Sequence, residues 1–190
     1  MKKLATAAIA ALIAGPALAH TGVGEANGFL HGLGHPVLGP DHLLAMLAVG
    51  LWSGFVLPHR FWAGAAAFMG AMIFGAGLSW SGIGYPMVET AIVGSVVVFG
   101  LLTLVSRRGQ PGWMTLASLA AIAGFASAHG HAHASEASGN ALAYLAGFLV
   151  STAALHLAGI GIARAVAAQP VAQRALGAGI ALSGLWLMAG

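Results

Sequence analysis

Residues 88–105 read VETAIVGSVVVFGLLTLV, and the only charge in the run is Glu89, next to its start. A bilayer core about 30 Å thick is crossed by about 20 predominantly apolar residues wound as a helix, so this stretch predicts a transmembrane helix. Outward from it, apolar runs broken by Gly, Pro or polar residues predict five more: Asp41 to Leu57, Phe61 to Trp80, Gly112 to Ala128 or beyond, Ala141 to Ala163, and Val171 to Ala189. The 190 residues are 59% hydrophobic and 6% charged, where a soluble domain carries roughly one-quarter charged residues. About six crossings exhaust such a length. The expected fold is therefore all-α, a polytopic membrane protein with six transmembrane helices forming a single domain over residues 20–190.

Ahead of these runs, Met1-Lys2-Lys3 is a short basic start, Leu4 to Ala14 is an apolar stretch short of a span, and Pro16 precedes Ala17-Leu18-Ala19. That pattern predicts a secretory signal peptide over residues 1–19, cleaved after Ala19, which leaves His20 as the mature N-terminus on the outer face. Six crossings from there return the C-terminus to the same side. The arginines agree, because short loops that hold positive charge stay in the cytoplasm. Arg60, Arg107, Arg108, Arg164 and Arg174 all fall in or beside the three loops that this orientation places inside. The expectation is a multi-pass protein of the bacterial inner (plasma) membrane, with the lipid bilayer around it and both mature termini periplasmic.

Charge also excludes functions. The formal net charge of +3 and pI near 10.0 owe much to Lys2 and Lys3. The remaining basic residues are those five arginines, set against Glu25, Asp41, Glu89 and Glu136. They form no basic stripe of the kind that binds nucleic acid. No lysine follows the signal segment, so a phosphate-binding loop with its lysine is absent and ATP hydrolysis by that route is excluded. Small residues crowd the segments, for example Gly64, Ala65, Ala66, Ala67, Gly70 and Ala71, as expected where membrane helices pack closely.

The chain has nine histidines, four acids and no cysteine. Any metal must then be held by nitrogen, oxygen or thioether, which suits nickel, cobalt and zinc and argues against copper(I). Around the first span the sequence reads HGLGHPVLGPDHLLAM, residues 31–46. At about 100° per residue, His31, His35, His42 and Met46 share one helical stripe. Pro36 and Pro40 interrupt it, each removing a backbone donor. Broken helices at membrane depth are tolerated where they line a cavity, and their ends serve as ion sites. A bent entry segment is expected, with Pro40 in the first turn of the main helix and Asp41 close to its N-terminus. Asp41 fits a helix cap, but an ionised carboxylate in a bilayer needs a partner, and with His42 adjacent and His35 upstream a metal site explains it better.

The second cluster reads HGHAHASE, residues 129–136. If the fourth span continues past Ala128, His129, His133 and Glu136 stand at i, i+4 and i+7 on one face while His131 points elsewhere. The alternative is a solvated His-rich loop that concentrates metal loosely. Glu89 is either an interfacial cap or a further ligand. His156, in the middle of the fifth span, needs a partner, and a hydrogen bond to another helix suits it better than metal. His59 fits a solvated turn. His20 would carry both a free amine and an imidazole after cleavage, which together chelate a metal. The order these placements suggest is capture by His129, His133 and Glu136, helped by His20 or His31, then transfer to His35, Asp41 and His42 with Glu89.

Both motifs resemble those of the HupE/UreJ family of hydrogenase and urease accessory permeases. The pattern His, five residues, Asp-His stands at His35 and Asp41-His42, and the pattern Phe-His-Gly-x-Ala-His-Gly-x-Glu is met by His129, Gly130, Ala132, His133 and Glu136, with Ala128 in place of the Phe and Ala134 in place of the second Gly. The resemblance covers essentially the whole chain. It implies a permease rather than an enzyme, with Ni2+ as cargo and Co2+ in some members, no organic cofactor, and hydrogenase or urease maturation machinery as the recipient. Two other functions use the same residue types: an intramembrane zinc-dependent hydrolase and a non-transporting membrane metal chaperone.

Overall fold

The computed structural model describes residues 28–137 and 139–190. The expected signal peptide, its cleavage point and His20 lie outside these residues. The described chain is helical, with seven helices and no strand among the described residues: α1 Gly28–Leu38, α2 Pro40–Val56, α3 Ala63–Trp80, α4 Val88–Val105, α5 Gly112–Glu136, α6 Ala141–Ala165 and α7 Pro170–Ala189. The boundaries of α4 coincide with the run quoted above.

Helices α3, α4, α6 and α7 are each long and apolar enough to cross a membrane, and the bent pair α1–α2 makes a fifth such unit if it is one span. The chain is thus a multi-pass membrane protein by length and composition. α5 has 25 residues, but its last third carries His129, His131, His133 and Glu136, and it is not among those four. Large apolar side chains such as Phe74, Leu116, Leu157 and Trp186 are exposed on the outside, as a lipid-facing surface requires.

The expected bend is present and sharper than a kink. At Gly39 the backbone is extended (φ −88°, ψ 115°), Pro40 occupies the first turn of α2, and α1 meets α2 at 78°. Proline is pre-organised for a first helical turn, where no N–H partner is needed. Because the helix breaks here, His31, His35, His42 and Met46 do not lie on one continuous stripe. Of the two imidazoles of α1, His35 approaches α2 across the bend while His31 is exposed, and Met46 is buried in the core. Gly39 has a second role, since a Cβ there would lie 2.9 Å from His42 Nδ1 and 3.0 Å from Asp41 Oδ1.

Four helix pairs dominate the packing: α3 with α5, α4 with α7, and both α1 and α2 with α6. Each is closed by glycines facing the partner's backbone from both sides. A Cβ on Gly75 would overlap the Ser127 carbonyl of α5, and one on Gly130 would overlap the Met72 carbonyl of α3. Gly100 and Gly177 do the same between α4 and α7, Gly32 and Gly147 between α1 and α6, and Gly50 and Gly159 between α2 and α6. Such contact lets dispersion act over the whole helix length, which is what holds helices together where lipid removes the hydrophobic drive. Around these seams pack Trp52, Phe68, Met72, Phe99, Tyr144 and Phe148, all buried.

Gly130 stands between two histidines of α5, so its contact with α3 fixes the height and rotation of both. Gly130→Ala is expected to cost about 1–3 kcal/mol, because the intruding methyl meets backbone that cannot swing away. Gly124→Ala on the same helix, where nothing lies within 4 Å, is expected to be neutral. Thermal unfolding of the two detergent-solubilised variants checks the contrast.

Candidate metal centre

The histidines of the two motifs, far apart in sequence, meet at one end of the helical assembly. His35 on α1, His42 on α2 and His133 on α5 each offer a ring nitrogen, and these atoms all lie within 4.8 Å of one another. The three residues are 8%, 6% and 4% exposed. His42 Nε2 and His133 Nε2 are 2.6 Å apart, close enough to share a proton where a cation would otherwise be shared. The His35 ring stands 4.5 Å from that of His133 and 5.4 Å from that of His42. Phe148 on α6 closes one side, its ring 4.4 Å from the His133 ring and tilted by 32°.

Asp41 is placed behind His42. Its Oδ1 accepts the His42 backbone N–H at 2.9 Å and lies 2.7 Å from His42 Nδ1. A carboxylate can only accept, so Nδ1 carries the proton and Nε2 turns its lone pair toward the cluster. This is the carboxylate–histidine pairing that fixes tautomer and ring orientation in metal sites. Asp41 makes no side-chain cap of α2, whose N-cap is Gly39. On the opposite side Glu136 Oε2 is 3.8 Å from His133 Nδ1, beyond hydrogen-bond reach, which leaves that nitrogen buried without a partner.

His129 lies one helical turn from His133 and is fully buried. Its ring centroid is 5.0 Å from that of His42. Ser95 Oγ donates its proton to the Ile92 carbonyl at 2.6 Å, so at its 3.1 Å contact with His129 Nε2 the hydroxyl must accept. The His129 proton therefore sits on Nε2, and Nδ1 is left as a buried lone pair without a partner. Since α5 stays helical through Glu136 and buries His129 and His133, the solvated-loop alternative for residues 129–136 does not hold. His131 points elsewhere, as its spacing predicts, donating from Nε2 to the Ile83 carbonyl at 2.7 Å.

The remaining expected residues are more peripheral. His31 is exposed, its ring 6.3 Å from that of His35 and 5.4 Å from Tyr144. Glu89 is exposed on the first turn of α4 and outside the three-histidine group. His156 makes the interhelical hydrogen bond expected of it, Nδ1 donating to the Met46 carbonyl at 2.8 Å. The sequence suggested two stations in series, whereas the structure joins the motifs in one cluster. Phe148, Tyr144 and Ser95 were missed. The Tyr144–Phe148 pair, one turn apart on one face, is the signal that an aromatic wall was present.

A cavity of about 380 Å³ opens between Val56–Arg60 and Arg108–Gly109, beyond the far end of α2 from the cluster. With two arginines and a single imidazole on its wall, it is poorly suited to gather cations.

The chain is 40% identical over 186 residues to "Protein HupE" of Rhizobium leguminosarum bv. viciae, covering 95% of this chain and 95% of that protein. No solved structure matches it. The family model described as "HupE / UreJ protein" matches residues 8–187, a span that includes both histidine motifs and all seven helices but for the last two residues of α7, and the chain belongs to that family.

Proposed function

We propose that the protein is an inward permease for a divalent transition-metal ion, nickel foremost and cobalt as an alternative cargo, destined for hydrogenase or urease maturation. The observation that carries this is the convergence of three buried imidazoles from three different helices, one of them backed by a hydrogen-bonded acid. Polar side chains are expensive in a bilayer, and three that turn nitrogens toward one point offset that cost by sharing a cation. Nitrogen-rich coordination suits nickel and cobalt, and a structural zinc site would call for a fourth close ligand.

In this reading the cleaved chain crosses the membrane six times, with α1–α2 as one broken span and α5 as another, and the cluster faces the periplasm. His31, Glu89 and the mature terminus at His20 supply the first encounter. His35, His42 and His133 hold the ion, with Asp41 orienting the His42 ring and the Glu136 carboxylate adding negative charge beside His133. His129, whose Nδ1 has no other partner, is the next ligand inward. An inside-negative potential drives the transfer, since moving two charges inward is favoured by about 4.6 kcal/mol per 100 mV.

Liposomes that contain only this protein test the proposal. Radiolabelled nickel is expected to accumulate, and more so when an inside-negative potential is imposed. Tight binding without flux supports a membrane chaperone, and zinc-dependent cleavage of a bilayer substrate supports a hydrolase.

Acidity gives a second check. A protonated imidazole has no lone pair for metal, and the ordinary imidazole pKa is about 6.5. Nickel uptake is therefore expected to fall on acidification of the outer face, where protons compete with the metal for the ring nitrogens. Uptake that does not weaken at any acidic pH the protein survives is incompatible with imidazole ligands.

A further inference from the structure

Beyond His129 the polar path does not end. The Phe68 ring on α3 is 5.4 Å from that of His129 and 5.1 Å from that of His156. His156 is 1% exposed and lies about 22 Å along α6 from the end beside the cluster, at 1.5 Å per residue. Its Nδ1 donates to the Met46 carbonyl, which leaves the lone pair on Nε2 buried and without any partner. One turn earlier on the same face of α6, the hydroxyl of Thr152 is also buried and unpartnered.

A purely structural role accounts for neither atom. As a strut between α6 and α2, His156 needs only its Nδ1 donor, and the Nε2 acceptor then bears a desolvation cost that the strut does not offset. Hydroxyls within a helix usually return to a carbonyl one turn back. Thr103, Ser118 and Ser183 do so here, and Thr152 does not. Two turns beyond Met46 on α2, the Ser53 hydroxyl is a third buried atom with no partner, facing α3 at Gly64. The His156 nitrogen and the Thr152 hydroxyl, one turn apart on one face of α6, are two buried acceptors whose missing interaction a guest cation would supply.

We propose that His156 Nε2, together with the Thr152 hydroxyl, forms a second and inner binding station for the transported divalent cation, next to Phe68, whose ring neighbours both His129 and His156. The inference rests on the transport reading above. One imidazole and one hydroxyl bind such an ion weakly, and a site on a conduction path must be weak enough to release what it accepts.

The test uses the full chain in liposomes with nickel as the probe, comparing wild type with His156→Gln and Thr152→Val. Glutamine keeps a donor for the Met46 carbonyl but lacks the imidazole lone pair, and valine keeps the shape of threonine without its hydroxyl. Uptake is expected to fall about tenfold or more in His156→Gln, the scale on which metal sites respond to loss of a supporting group, and to fall measurably in Thr152→Val. Equilibrium nickel binding at the outer cluster is expected to be unchanged in both. Thr152→Val deletes only an unmet hydroxyl, so a structural account predicts equal or higher stability and no loss of flux. Wild-type flux in both variants overturns the inner station and leaves the permease reading intact. A wild-type chain that binds nickel but never moves it overturns both.

Discussion

His42→Ala is expected to abolish nickel accumulation while the protein remains in the membrane at its normal level. His42 is the residue that ties the two motifs together. Its Nδ1 is held by Asp41 at 2.7 Å, its Nε2 is 2.6 Å from His133 Nε2, and its ring is in contact range of both His35 and His129. Removing it deletes one of three ligands and also strips Asp41 of its side-chain partner. Loss of a mere supporting group costs about 10–100-fold in metal affinity, and loss of a ligand in so small a set exceeds that range. The interfaces that hold the helices lie at the glycine seams, so the truncation does not reach the packing of α2 on α6. Accumulation of radiolabelled nickel, normalised to immunodetected protein in isolated membranes, decides the matter. Uptake retained at the wild-type level removes His42 from the path.

Asp41→Asn carries the second-largest expected effect and separates two roles for the carboxylate. The sequence pointed to Asp41 as a ligand, whereas its oxygen lies on the side of the His42 ring away from His133. As an orienting group it fixes the proton on Nδ1 and raises the basicity of Nε2. Asparagine fills the same volume but gives up the charge that does both. Nickel affinity is expected to fall by about 10–100-fold with the set of imidazole ligands unchanged. Loss of an oxygen from the metal's own coordination shell in the variant is the outcome that returns Asp41 to the ligand set.

The helices were legible because their signal is local. The run from Val88 to Val105 is bounded by Pro86 on one side and by arginines on the other, and apolar length alone marks it. The i, i+4 placement of His129 and His133 also followed from spacing, once α5 was allowed to run past Ala128. The break at Gly39 was only partly legible. Two prolines announced a bend, but its size depends on α1 and α2 both packing against α6, which no local pattern encodes. The contact between His42 and His133 spans 91 residues and is set by the α1–α6, α2–α6 and α3–α5 seams rather than by either motif. Small residues were likewise readable as packing in general and not one by one. Gly75 meets the backbone of α5, while Gly70 on the same helix has nothing within 4 Å. The orienting position of Asp41 was beyond reach for the same reason, since residues adjacent in sequence give no information about which face of an imidazole looks toward a distant helix.

Nickel K-edge X-ray absorption on the nickel-loaded protein measures the shared cation most directly. The account predicts an imidazole shell that fits His35, His42 and His133 together and loses one ring in His133→Ala. A first shell of water and carboxylate oxygens, without the scattering pattern of imidazole rings, contradicts it.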